Sequence, residues 1–501
     1  MAKCVIVIAS EMEKVKGKRI KICLGLGIIL LSFCIWFFPS NVVELIARHR
    51  HVLLGRYSVE RFSLFFFLTP LLWLAAYSIW ASIKLSGKQV AFRVIALVFS
   101  VILATLAIHI LGQLTRKPRY IEKEVKFRRD WPGGDQVHDV IRHRPPNSFY
   151  RVRFTDAPKA ARSYPNPPQG YPTVDLTLTV DARGYRNLTS FEQYDIVTVG
   201  DSFTEGSRVS DDEPWPVLLG KKLNRNVYNL GISGGEPNYY LNAFRAVGLD
   251  LRPKVAIFMI YEGNDFKGIR LEKGSTNPGQ PLGKRIEKAI KYSPVVMGFK
   301  TAFIKYLGPI NADGPVPGAG ILSWMPVEVP PGPGAKYYAF RPKRLMRLYW
   351  TECDFRQSFG WTSTAKVLKM IKDVCDREGI RMVIVYAPSK PHVVMPLAKE
   401  NISQKHLYAF ASLKKRGLPA PKEFKNKLYN RLGTQEKVLR EFCQNQNIEF
   451  VSTTAALQNM AEGGHQVYYT YDQHWTRLGH MVVAEELFRY FTASGVGKNC
   501  M

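Results

Sequence analysis

Residues 197–206 read VTVGDSFTEG. An apolar, β-type run breaks at Gly200 and delivers Asp201 and Ser202 into a polar stretch. In a parallel α/β sheet, ligands bind in the crevice outside the carboxyl ends of the strands, where a serine can serve as a nucleophile. Asp and Ser are equally at home as caps of a following helix. The tripeptide alone supports both readings, so the flanking sequence has to separate them.

From Tyr194 onward, short continuous apolar runs recur at 196–199, 227–230, 255–261, 382–386 and 448–451. Helical periodicity fills the gaps. In TSTAKVLKMIKDVCDREG, Val367, Ile371, Val374 and Cys375 share one face and Gly379 stands where a helix would stop. Val483, Leu487, Phe488 and Phe491 repeat the pattern near the end of the chain. Strands alternating with helices predict an α/β fold: a three-layer, flavodoxin-like sandwich around a parallel sheet. About 120 residues separate the third and fourth runs. They include GPINADGPVPGAG and PVEVPPGPGAK, which suit neither a regular helix nor a central strand. This predicts an insertion at about 270–360, either a lid or substrate-binding elaboration or a disordered loop.

The predicted strands end in small polar blocks. Gly200-Asp201-Ser202 follows the first, NLGISGG (229–235) the second and YEGND (261–265) the third, while YDQHWTRLGH (471–480) precedes the last helix. Any one of these could be an ordinary turn. As an ordered set they resemble the SGNH branch of the GDSL hydrolase superfamily over residues 194–492, with Trp215-Pro216 matching a pair typical of the helix after the serine. The resemblance implies an ester hydrolase with Ser202 as nucleophile, His474 as base and Asp472 as its acid. It implies an oxyanion hole from Asn264 and Gly234, with Gly231 as the fallback glycine.

Elementary chemistry gives the same roles. A serine hydroxyl is a poor nucleophile until a base takes its proton, and a histidine can do so near neutral pH. An aspartate then fixes the imidazole tautomer. The charge that grows on the carbonyl oxygen needs preorganised N–H donors. Many family members place the acid three residues before the histidine, whereas Asp472 stands two before His474. In an extended loop, residues two apart still face the same way. The Asp-x-His-Trp form is similar to membrane-associated members that include alginate-type O-acetyltransferases, as is APSKPHVVMPL (387–397). That similarity offers Lys390 and His392 as substrate contacts, and charge on a loop surface is the competing explanation. His480 reads as a helix-start residue, and His465 has no assigned role.

Before residue 113 the chain changes character. Residues 22–38 and 62–83 carry no charge, and 94–112 are interrupted only by His109, which predicts a three-helix membrane anchor over 1–112. No small-residue cleavage site follows the first apolar core, so a removable signal peptide is not indicated. The amino-terminal Lys and Arg residues favour a cytoplasmic N-terminus, while seven more at 113–132 argue the other way. Giving the first helix more weight places the catalytic domain (194–501) outside the cytoplasm, on the periplasmic face of a cell membrane. Residues 113–193 read as a basic, proline-rich linker, with TVDLTLTV and DARGYRN suggesting a β-hairpin.

The net charge of +29 is dispersed and carries no zinc-finger or aromatic-basic signature. Nucleic acid is therefore not an expected partner; the lipid bilayer or an acidic glycan suits the charge, as does a solvated basic face with no specific ligand. The seven Cys show no metal-ligand spacing, and no metal or cofactor is implied. Three functions fit this sequence. The first is an esterase acting on O-acyl esters of a cell-envelope polysaccharide. The second is an O-acyltransferase served by an acyl-donor membrane protein, and the third is a catalytically silent glycan-binding scaffold.

Overall fold

The computed structural model describes residues 2–37, 59–114, 120–124, 140–156, 169–267, 325–330, 332, 334–415 and 417–493. Two compact units emerge, residues 1–117 with 278–319 and residues 118–277 with 320–501.

The larger unit is built on five parallel strands: β1 (Ile196–Val199), β2 (Val227–Asn229), β3 (Val255–Tyr261), β4 (Arg381–Ala387) and β5 (Glu449–Ser452). Their spatial order is β5-β4-β3-β1-β2, with Val197 opposite Ala256 and Val383 opposite Ile257. Every residue of β1 and β3 is buried. A parallel strand covered on both faces has no solvent side, so its sequence must be apolar throughout and not alternating. On one face Ile257, Met259, Val383 and Val385 pack with Trp215, Leu219, Val393, Leu457 and Val483; on the other, Ala256, Phe258, Met382 and Ile384 pack with Leu241, Val367, Ile371 and Val438. The result is the predicted three-layer sandwich.

Local chemistry sets the ends of the predicted helix. Ser358 caps Phe359–Arg377 by accepting the Trp361 N–H, and beyond its C-terminus Gly379 takes φ +65°, a left-handed conformation that glycine adopts without a Cβ penalty. Because β1 and β3 are neighbours while the chain leaves them toward opposite edges of the sheet, a crevice opens at their carboxyl ends. The Ser202 and Asn264 blocks both lie there.

The region expected to be linker is in fact partly sheet. Phe149–Phe154 pairs antiparallel with Val174–Thr179, and Ile121–Glu124 pairs with Val140–His143. TVDLTLTV thus forms a strand, but it pairs backward with FYRVRF and not forward with DARGYRN. In FYRVRF Arg151, Val152 and Arg153 are all exposed, so the strand carries no clean alternation, and its basic and proline-rich flanks mask it further. The middle of the predicted insertion lies outside the described residues. Its later part supplies the hairpin Met325–Val329 with Lys336–Phe340 and the helix Pro342–Met346.

In the smaller unit the helices Ala2–Cys34, Val59–Ala81 and Gly87–Leu114 carry the three apolar stretches. Among the described residues two segments, Glu11–Phe37 and Leu64–Ala81, are long and apolar enough to cross a membrane, where three were expected. Leu24, Leu30, Phe33 and Leu71 point outward, while Ser32 is buried and accepts the Trp73 indole N–H at 2.9 Å.

Candidate active site

Strand β1 ends at Val199, and the short helix Ser202–Glu205 begins three residues later. Asp201 caps that helix, its Oδ1 accepting the Phe203 N–H at 2.9 Å. The cap reading therefore falls on Asp201, which leaves the Ser202 side chain for other contacts. Ser202 keeps 8 % of its surface exposed.

The partner arrives from the far end of the sequence. Tyr468 and Trp475 form an antiparallel bridge, and the Tyr469 N–H donates to the His474 carbonyl at 3.1 Å, so residues 468–475 make a tight, hairpin-like loop. The loop holds His474 Nε2 2.7 Å from Ser202 Oγ. On the other side of the ring, Nδ1 meets Asp472 Oδ1, which also accepts the His474 backbone N–H at 3.0 Å. The two-residue spacing thus suffices, because the acid bonds both the ring and the backbone of its histidine. Burial opposes ionisation of Asp472, but His474 and Arg208 (Nε to Oδ2, 3.3 Å) outweigh it and hold the carboxyl well below the usual carboxylate range. The Phe203 ring packs against the imidazole, with centroids 5.0 Å apart, and against Tyr261 at 4.1 Å.

Asn264 stands at the end of β3, its Nδ2 donating to Asp201 Oδ2 at 2.9 Å and to Asp265 Oδ1 at 3.1 Å. Burial raises the pKa of both carboxyls, and at Asp265 the neighbouring Asp201 adds to the effect. The amide is thereby braced between two acids.

The two candidate glycines separate on geometry. The Gly231 N–H donates to Asn229 Oδ1 at 2.8 Å, and a Cβ there would lie 2.2 Å from the Glu205 nitrogen. Its lack of a side chain serves the packing of a loop against the serine-bearing helix. Gly234 adopts φ +77°, a Cβ would meet nothing closer than Arg142 Nη1 at 3.7 Å, and its N–H has no acceptor among the described residues. Here glycine serves the backbone conformation and leaves a donor unspent.

Lys390 and His392 match neither expectation. Both are buried, on the helix Lys390–Leu397. The Lys390 ammonium donates to the carbonyls of Tyr469 (2.7 Å), Thr470 (2.9 Å) and Ala339 (3.0 Å), which takes up all three of its hydrogens. Burial pulls its pKa down to about 7 against the opposing charges of Asp156 and Asp472. His392 bonds Glu262 at 2.9 Å, within a cluster that includes Ser389 and Tyr386. Neither residue is a loop-surface charge, and the donors of Lys390 are spent on backbone.

Sequence reasoning missed Asp156, whose carboxylate accepts the Asp472 N–H at 2.8 Å and the Tyr471 N–H at 3.2 Å. It also missed Arg208 on the acid. Asp156 lies two residues past the end of FYRVRF, and only a correct strand assignment there would have drawn attention to it. His480 is buried just inside the final helix, with its Nδ1 accepting the Trp215 N–H at 3.3 Å; burial, then Arg186 and His474, push its pKa down to about 3.

Neither a family model nor a curated protein matches the chain. Among solved structures, the chain is similar to one described as a lipolytic protein of the G-D-S-L family from Desulfitobacterium hafniense, at 12% identity and TM-score 0.28, over 59% of this chain and 97% of that one. It is also similar to a GDSL-like lipase from Parabacteroides merdae (12%, TM-score 0.28, covering 61% and 97%). A catalytic mutant of an acetylxylan esterase from Geobacillus stearothermophilus matches at 11% and TM-score 0.26, over 60% of this chain and 95% of that one.

Proposed function

We propose that this protein is a membrane-anchored serine esterase of SGNH type that cleaves O-acyl esters of a cell-envelope polysaccharide. The observation that carries the reading is the relay Ser202 Oγ to His474 Nε2 at 2.7 Å, with Asp472 on the opposite ring nitrogen. His474 takes the Ser202 proton as Oγ attacks the ester carbonyl. The imidazolium then gives that proton to the departing alcohol oxygen, leaving an acyl-Ser202 ester. Water, deprotonated by His474, attacks that ester; the acid leaves and Ser202 regains its proton. Asp472 stays ionised throughout and steadies the imidazolium.

The oxyanion of each tetrahedral intermediate is served by the unspent N–H groups of Ser202 and Gly234 and by one Asn264 N–H shared with Asp265. Such donors are effective because they are held in place before charge develops. The outward-facing apolar side chains of Glu11–Phe37 and Leu64–Ala81 support a bilayer anchor, and the weight given to the first helix puts the catalytic unit outside the cytoplasm.

A fluorophosphonate probe tests the chemistry. It labels the wild-type chain and fails to label Ser202→Ala or His474→Ala, and both variants lose hydrolysis of simple acetyl esters. Labelling that survives Ser202→Ala overturns the assignment. Acetylated glycan appearing when an acyl donor and a glycan acceptor are supplied together would make the same intermediate that of an O-acyltransferase.

A further inference from the structure

Immediately beyond Asn264 lies a group of cations for which the chemistry above has no use. No acidic residue occurs between Glu328 and Glu352, an interval that contains Arg341, Lys343, Arg344 and Arg347. The helix Pro342–Met346 carries two of these cations and is flanked by the other two. It is fastened to the catalytic loop, because Arg344 Nη1 donates to the Gly263 carbonyl, next to Asn264, at 2.8 Å. Lys267, three residues past Asn264, folds back so that its N–H meets the Asn264 carbonyl at 3.3 Å.

These charges are crowded, and of the four nearest the site Lys267 has Asp265 to offset it in part. Among the described residues, Lys267, Lys343, Arg344 and Arg347 enter none of the salt bridges. The Arg347 guanidinium has no hydrogen bond among them, and its Nη1 is buried. Burial and Arg344 lower the Arg347 pKa to about 10, and Arg347 in turn is the main influence depressing Lys343. Residues 268–324 are themselves basic, with eight Lys or Arg against three Asp or Glu. Like charges held together at the cost of mutual repulsion point to an anion that relieves it, and guanidinium forks suit carboxylate and phosphate geometry.

We propose that Lys267, Lys343, Arg344 and Arg347 form an anion subsite beside Asn264 that receives a carboxylate or phosphate group borne by the acyl-ester substrate. The proposal rests on the esterase reading for its location next to the reacting carbonyl, but the binding of an anion can be measured without turnover. The subsite fixes the substrate by its charge while the relay acts on its ester. It selects anionic saccharides over neutral ones.

Two measurements on the full-length chain in detergent test this. First, Ser202→Ala is titrated at low salt with sodium glucuronate and, separately, with inorganic phosphate. Saturable binding of either, weakened about tenfold or more by adding Arg347→Gln or the exposed Lys343→Gln, supports the subsite, and the anion that binds more tightly identifies the group. No binding of either anion, or binding unmoved by both substitutions, overturns it. Second, kcat/KM is compared for an O-acetyl glucuronide and an O-acetyl glucoside. Each substitution lowers the anionic-to-neutral ratio at least tenfold, and an unchanged ratio refutes the proposal. Anion binding without any ester turnover would leave the subsite standing and remove the esterase reading.

Discussion

In the proposed site, the residues assigned to react are distinct from the residues that hold. Asp472 bonds both the ring and the backbone of His474, so its carboxylate sets the tautomer that leaves Nε2 open to Ser202. Asp472→Asn is expected to lower kcat by about 10⁴ with little change in KM; a loss under tenfold, measured on a simple acetyl ester, would remove Asp472 from the relay. The two glycines of NLGISGG give a sharper contrast. Gly231→Ala drives a Cβ to within 2.2 Å of the Glu205 nitrogen, which is expected to lower the melting temperature and to cost about 2 kcal/mol or more. Gly234→Ala has room for its Cβ but strains φ +77°. A fold retained, with turnover reduced about 10²-fold, is the expected result, read by circular dichroism beside kcat.

At the level of elements, the loop 468–475 has to reach a serine on the far side of the chain, and it is clamped from two directions. Asp156 takes its Tyr471 and Asp472 N–H groups, while Lys390 donates to its Tyr469 and Thr470 carbonyls. Lys390→Met leaves three carbonyls without that donor, which is expected to destabilise the protein by about 3 kcal/mol or more and to reduce kcat more than it changes KM. The pH dependence has a definite sign. Because the folded-state pKa of Lys390, about 7, lies below its unfolded value, the unfolded chain holds the extra proton between about pH 7 and 10.5. Stability contributed by this group therefore rises with pH across that window, and chemical denaturation would show wild type gaining on Lys390→Met between those values. A constant difference would contradict the assignment.

At the scale of the whole molecule, the sequence made the sheet legible because strands buried on both faces have to be continuous apolar runs, and each of the runs at 196–199, 227–230, 255–261, 382–386 and 448–451 became one. The relay was legible for a related reason, since its members sit in short polar blocks that interrupt those patterns. Residues whose work depends on burial by distant elements were not. A lysine in APSKPHVV reads as surface charge until the packing around it is known, and an aspartate in a basic, proline-rich stretch carries no local signal. Where three spans were read, two segments among the described residues meet the measure of length and apolarity. A reporter fused after residue 130 is expected to be active only on the extracytoplasmic side; cytoplasmic activity would reverse the proposed topology.

The long excursion between β3 and β4 departs directly from the strand that carries Asn264 and returns a positively charged turn of helix to the edge of the same crevice. New cargo preferences could therefore arise through changes in one surface segment, without disturbing the buried scaffold or the proton relay. On the proposed reading, reaction and recognition are written in separate stretches of the polypeptide, and selection can revise the second while leaving the first intact.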